Sequence, residues 1–455
     1  MHYLILASYI LLLGWWIKSS SLFSIEGLSR KFIFFVFISK VLTGITYGLI
    51  HTYYFSGGDT FLYLKESTLI GETIFVYPQY YLYSLLGWAT ELPNSTVFIY
   101  PDASIFWKDL GSYVLVHWHG LLHPFTQGHY HLTIFFIAVV GLMASLNFYK
   151  LFNQILALPP FVLIICCFFL PSLTFWTAGF HKDVYVYYAL SLLFLSFYEL
   201  EQKKLSMNSC FKIIGSLLLL GLIRHYLILL IIPASIAYLI SLKKQRHIIL
   251  TYSAVYVVFA AIFFAFSYLV IDVDILQILA NKQADFIAET GGSAIRDIAT
   301  FPPSFIGVIG AIPMAVVNVL ARPFLWECKD ALQMMASIEI LCFLILVLLS
   351  FFIKKQTLSS PKLLLPFLLS FSLSNLLLIG ILVVNSGTIV RYRSIALGLL
   401  TLLIMRIIDL RKIGLHTDKG RLYSKDNSFG QGNTKNKKKQ SSSSRSRKNF
   451  VSLSS

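Results

Sequence analysis

Long apolar runs follow one another along the chain, at 2–18, 32–54, 128–149, 154–173, 183–199, 210–242, 248–271, 331–353, 361–384 and 389–410. A helix needs about 20 residues to cross the hydrocarbon layer, so each run predicts a membrane-spanning helix. The short alternating strands of a transmembrane β-barrel are absent. Two longer stretches, 55–127 and 272–330, interrupt the series. They hold segments too short or too polar to span, at 74–90, 111–125 and 301–320. Irregular backbone cannot face lipid, so these segments predict helices that lie at the interface or re-enter a protein-lined cavity.

The run 210–242 is interrupted by Arg224-His225 and reads as one long helix or two short ones. Charge decides. The short basic loops carry Lys18, Arg30 and Lys31, then Lys150, then Lys203, Lys204 and Lys212, then Lys243, Lys244 and Arg246, then Lys354, Lys355 and Lys362. All of them reach the cytoplasmic side, as the positive-inside rule asks, only if 210–242 is a hairpin with Arg224 at its outer turn. The expected fold is therefore all-α, a polytopic transmembrane bundle of about eleven spans, N-terminus out and C-terminus in. The first run has no basic residue before it and no small-residue cleavage site, so it reads as a retained span rather than a signal peptide. The transmembrane domain covers 1–410, with external segments 55–127 and 272–330. Residues 411–455, rich in Lys, Ser and Asn, read as a disordered basic cytoplasmic tail that rests on anionic lipid.

Composition agrees. Of 455 residues 57% are hydrophobic and only 13% charged, against about a quarter in soluble proteins. The net charge of +16 sits largely in the tail and the short loops, where it orients helices and implies no nucleic-acid partner. Five cysteines lack metal-ligand spacing and read as buried free thiols.

With that topology the polar motifs FSGGDTFLYLKES (55–67), HWHGLLHPFTQGHYH (117–131), PSLTFWTAGFHKD (171–183), Arg224-His225, ETGGSAIRD (289–297), ARPFLWECKD (321–330) and NSGTIVRYR (385–393) all fall on the outer side. They suggest one outward-facing cavity. Asp59, after Ser56-Gly57-Gly58, is the candidate catalytic carboxylate. Glycines let the chain turn sharply there, and a carboxylate at a half-dry edge suits a general base. Its plainer role is to cap the following helix. Glu66 lies further along that helix and is expected to support Asp59. An arginine amid apolar residues is costly, so Arg224 faces either a phosphate, whose oxygens its fork matches, or a structural partner such as Asp183 or Glu339. His181 and Lys182 are candidate substrate contacts, Lys182 otherwise snorkelling to headgroups. Arg391 and Arg393 break the positive-inside rule and, two residues apart, do not share a helix face. One of them is expected at the substrate. Arg322 reads as a further contact or as an interfacial anchor. The histidines His117, His119, His123, His129 and His131 lack the HExxH arrangement and any acidic companion, so no metal is assigned, and no cofactor is implied.

The motifs SGGDTFLYLKES, PSLTFWTAGFHKD, LIRHY, VLARPFLWE and NSGTIVRYR together resemble poorly characterised multi-spanning proteins of bacterial surface-polysaccharide assembly. More loosely they are similar to integral-membrane C-type glycosyltransferases and to O-antigen polymerases and ligases. That resemblance implies an external acidic residue, matched by Asp59. It also implies arginines holding the phosphate of a polyprenyl-linked sugar, matched by placement at Arg224, Arg391 and Arg393. The expected function is glycosyl or glycan transfer from a polyprenyl-phosphate carrier at the outer face of the bacterial inner membrane. Membrane lipids, the lipid-linked glycan and other assembly proteins are the expected partners. The alternatives are a flippase for a lipid-linked anion, which calls for polar residues on both sides, and a non-catalytic assembly scaffold.

Overall fold

The structure, a computed structural model, describes residues 1–55, 57–85, 109–204, 206–243, 247–269, 274–289, 300–355 and 362–414. Its contacts divide the chain into Met1–Asp409 and Leu410–Ser455. Of the second unit only the 3-10 turn Leu410–Ile413 and Gly414 are described, so the expected disorder of the tail lies outside the described residues. So do Lys244, Arg246 and nearly all of ETGGSAIRD.

The described residues are helical, with an isolated bridge between Lys354 and Ile408. In chain order the helices are α1 (His2–Ser19), α2 (Arg30–Tyr53), α3 (Asp59–Val76), α4 (Pro78–Leu85), α5 (Leu110–Leu121), α6 (His123–Thr126), α7 (Tyr130–Ile155), α8 (Pro160–Phe168) and α9 (Pro171–Trp176). They continue with α10 (Lys182–Glu201), α11 (Met207–Arg224), α12 (Tyr226–Lys243), α13 (Ile248–Leu269), α14 (Ile275–Glu289), α15 (Phe305–Leu320), α16 (Ala331–Phe352), α17 (Leu364–Leu382) and α18 (Ser386–Ile407). Short polar side chains close the free N–H groups at several starts, as such residues do. Ser29 accepts from Phe32 N, Asp330 from Gln333 N, and Asn385 from Gly387 N.

Among the described residues eight helices are long and apolar enough to cross a membrane: α2, α7, α11, α12, α13, α16, α17 and α18. Helices α1 and α10 are of similar length, and α10 carries Lys182, Asp183, Glu199 and Glu201. Residues 154–173, expected as a single span, are not one helix. They break into the end of α7, then α8 with 9 residues and α9 with 6. The cause is Pro159, Pro160 and Pro171. Each lacks an N–H and pushes the preceding residue out of the α region, and Leu170 is extended at φ −63° and ψ 123°. The segments 111–125 and 301–320 form the helices α5, α6 and α15, which are too short to span. All five cysteines are free, but only Cys166 and Cys167 are buried; Cys210 and Cys328 are half-buried and Cys342 is exposed.

The run 210–242 is a hairpin. At the start of α11, Ser209 and Lys212 bond the Glu199 carboxylate near the end of α10. At the end of α11, Arg224 reaches Asp183 at the beginning of α10. The return arm comes back, since the Tyr238 hydroxyl of α12 donates to the Phe197 carbonyl at 2.7 Å and its ring stacks on Phe197. The turn is the single residue His225.

These contacts define two ends of the bundle, one at Asp183 and one at Glu199. Arg30, Lys31, Lys203, Lys204, Lys354, Lys355 and Lys362 all belong to connections at the Glu199 end. There Leu363 and Leu364 donate their amides to Glu201, and Lys355 N bonds Ile407 O. The connections at the Asp183 end carry Asp59, Asp109, His181, Lys182, Arg322 and Asn385. The α7 helix is central, 78% of its apolar window being buried, whereas only 6% of that of α13 is.

The hairpin yields a direct test. In a chain stripped of its other cysteines, Phe197→Cys and Tyr238→Cys should cross-link through a short bifunctional thiol reagent. A continuous helix over 207–243 would hold residue 238 on the order of 40 Å from residue 212. Failure of the pair to link, with both thiols reactive, would contradict the hairpin.

Candidate functional site

The Asp183 end holds a connected charge network. Asp183 lies in the first turn of α10, where the helix dipole favours an anion. Its side chain is 4% exposed, and each carboxylate oxygen is taken: Oδ1 by an Arg224 terminal nitrogen and Oδ2 by Arg391 Nε, both at 2.6 Å. Arg224 also donates to the Tyr226 hydroxyl at 3.1 Å and lies 4.1 Å from the centre of the Tyr392 ring. The plainer of its two expected roles is thus the one the geometry fills. It is a buried structural partner of Asp183, and its fork is occupied.

Arg391, in the second turn of α18, links the interior to the surface. Beyond Asp183 it donates to His181 Nδ1 at 3.1 Å and meets Asp59 at 3.4 Å, with the Trp176 ring 5.7 Å away. Asp59 is 57% exposed and opens α3. Gly58, just before it, has φ +129°, a region closed to most side chains, and a Cβ there would meet the His51 ring at 2.9 Å. The carboxylate is therefore carried on a turn that only glycine fits, at the mouth of the network.

His181 is buried between Arg391 and Tyr47. Its Nδ1 meets a guanidinium N–H and so accepts; Nε2 then carries the proton and donates to the Tyr47 hydroxyl, since a neutral imidazole has one of each. Burial and the neighbouring Arg391 hold its pKa well below the usual range. The loop 177–181 is seated on α2 by a close approach at Gly44, where a Cβ would sit 2.7 Å from the Ala178 carbonyl.

Lys182 flanks the network and pairs with Asp109 at 2.6 Å. Asp109 also caps α5 through Ser112 N. Burial pushes the Asp109 carboxyl up, but the Lys182 ammonium and Ser112 outweigh it and hold the group below the ordinary range. The remaining expected site residues stand apart. Arg393 is fully buried and donates to the carbonyls of Val319 and Arg322, tying down the chain after α15. Arg322 bonds Asn318 and lies 3.6 Å from Glu327. Glu66 is half-buried on α3, its carboxyl raised by that burial, and takes no part in the ion pairs. The network instead recruits Asp183, Tyr47, His51, Tyr226, Tyr392 and Asp109, which the sequence did not single out as site residues.

The five histidines do not converge. His117 bonds the Tyr113 carbonyl and His119 the Tyr185 hydroxyl, both buried in α5. His129 and His131 stack near His2. Among the described residues no group of three or more His, Cys, Asp and Glu is placed to hold a metal ion.

Two tests follow from this geometry. Removing one partner of a buried ion pair costs about 3–5 kcal/mol, so Asp183→Asn should lower the melting temperature in detergent sharply. An unchanged melting temperature would show that Asp183 is not the tie. Burial pushes His117 down to about 4 and His119 down to about 3, whereas unfolded histidine titrates near about 6.5. The unfolded chain therefore takes up protons first, and the stability held by these neutral rings is present above about pH 6.5 and lost as pH falls below it. Between pH 7 and 5 the wild-type midpoint should drop more than that of His117→Gln; equal drops would refute the linkage. No protein-family model, no curated protein and no solved structure matches this chain.

Proposed function

We propose that the protein is a membrane glycosyltransferase or glycan polymerase that takes its sugar from a polyprenyl-phosphate carrier at the outer face of a bacterial inner membrane. The observation that carries this reading is the pairing of exposed Asp59 with Arg391 at 3.4 Å, against the two 2.6 Å contacts that hold Asp183. The inner pairs are fixed and the outer one is exchangeable. A phosphate oxygen arriving at the mouth competes with Asp59 for Arg391, since guanidinium binds carboxylate and phosphate in the same geometry. Its arrival frees the Asp59 carboxylate beside the bound donor. A freed carboxylate can accept a hydrogen bond from an acceptor hydroxyl and hold it in line for attack, while Arg391 stabilises the charge on the departing phosphate. Lys182 adds a second cation near the mouth. No metal enters this scheme.

The distribution of charge supports the orientation and weighs against a flippase. Lysines and arginines crowd the connections at the Glu199 end, which the positive-inside rule assigns to the cytoplasm. The Glu199 end holds one partly exposed pair, Glu199 with Lys212, whereas the buried cluster of carboxylate and cations lies at the opposite end, and alternating access calls for comparable sites on both sides.

An Asp59→Asn strain should accumulate lipid-linked precursor and lose surface glycan at normal protein level, with transfer down about 100-fold, the usual cost of misplacing a reacting group. Normal glycan at normal protein level would overturn the role of Asp59. Precursor trapped in the inner leaflet of a deletion strain would favour the flippase instead.

A further inference from the structure

The residue nearest the mouth that this scheme leaves idle is His51. It lies in the last turn of α2, 8% exposed, its ring stacked on Tyr47 with centroids 4.0 Å apart. Its Nδ1 is 3.0 Å from the Tyr47 carbonyl oxygen. A carbonyl only accepts, so Nδ1 carries the proton and Nε2 holds a free lone pair. Among the described residues Nε2 has no hydrogen-bond partner. The edge of the ring that carries it lies against Gly58, with a built Cβ there 2.9 Å from Cδ2 and 3.8 Å from Nε2. Gly58 precedes Asp59, whose carboxylate acts electrostatically on the His51 imidazole across that turn. The Gly57 amide bonds the His51 carbonyl at 2.7 Å, which fixes the glycine turn to the end of α2. The titratable and charged groups around the imidazole are Tyr47 on its own helix, His181 with ring centroids 6.3 Å away, Asp59 from α3 and Arg391 from α18.

We propose that His51 is the group that finally takes the acceptor's proton, with Asp59 orienting the hydroxyl. The inference rests on the glycosyl-transfer reading and assigns its proton path. Asp59 is an anion shared with Arg391. A proton lodged on it while Arg391 follows the phosphate would remove the charge that holds the hydroxyl in line. His51 has no such conflict. The acceptor O–H bond breaks and its proton moves to His51 Nε2. The oxygen's electron pair forms the bond to the anomeric carbon. The bond from that carbon to the phosphate oxygen breaks, and its electron pair leaves on the phosphate held by Arg391. The imidazolium keeps its Nδ1 bond to Tyr47 and gives the new proton to water after the products leave.

The test uses purified full-length protein in vesicles, supplied with lipid extract and acceptor membranes from a deletion strain, which together hold the accumulated donor and its acceptor. Transfer is followed from pH 5 to 9. The wild type should show an acid limb, with activity falling as His51 becomes protonated. His51→Gln, which has no basic nitrogen, should lose about 100-fold in kcat with KM for the lipid donor unchanged and the acid limb gone. His51→Asn, which can keep a donor to the Tyr47 carbonyl, should be equally slow although folded. Added imidazole should restore part of the activity of His51→Ala, which a structural role would not allow. A wild-type rate and acid limb in His51→Gln would overturn the proposal while leaving the transferase reading intact. A raised KM with unchanged kcat would also overturn it, placing His51 in binding. A wild-type protein that transfers nothing overturns the transferase reading and this proton path with it.

Discussion

One carboxylate shared by two guanidiniums holds the Asp183 end of this bundle together. Asp183 comes from α10, Arg224 from the tip of the α11–α12 hairpin and Arg391 from α18. Charged groups are costly at membrane depth and persist there when they neutralise one another. Each oxygen of Asp183 is used once, so neither arginine can take over the other's contact. The arrangement sets three helices at a common level and leaves the hairpin little freedom to slide. The Tyr392 ring lies under Arg224 and the Trp176 ring near Arg391, the face-on contacts that guanidinium accepts, and the Tyr226 hydroxyl accepts a hydrogen bond from Arg224.

From that fixed point the network loosens outward. Asp183 is sealed, Arg391 is partly open and Asp59 is mostly exposed. His181 and Tyr47 stand behind Arg391 and limit where its guanidinium can turn. The same cation thus has an immovable partner on one side and a replaceable one on the other. That asymmetry is what a site needs if it is to receive an anion without dismantling itself, and the Gly57-Gly58 turn, tied to the end of α2, holds Asp59 at that outer position.

The membrane class and the hairpin were legible in the sequence, because apolar length and the placement of lysine and arginine are local properties. The anomaly of an arginine inside 210–242 was legible too, but its partner was not, since the packing of α10 against α11 decides it. Arg391 and Arg393 look alike in the sequence. They sit on different faces of α18, so one enters the network and the other ties down the Val319–Arg322 carbonyls. The run 154–173 misled because a count of apolar residues ignores the missing N–H groups of its prolines. Tyr47 and His51 passed unnoticed as ordinary residues of a span. Only the approach of the 177–181 loop and the Gly58 turn gives them polar neighbours.

The contacts of the network differ greatly in sequence separation: 41 residues for Arg224 with Asp183, 208 for Arg391 with Asp183 and 332 for Arg391 with Asp59. Chains are made from the N-terminus, and early segments begin to assemble before later ones exist. Asp183 and Arg224 can therefore enter the bilayer as a neutral couple, each masking the other's charge during insertion. Arg391 arrives much later and docks onto a half-satisfied carboxylate that is already in place. The tie between the three helices is thus completed only once α18 has been made, and a chain still on the ribosome short of α18 carries an Asp183 with its Oδ2 not yet paired to Arg391.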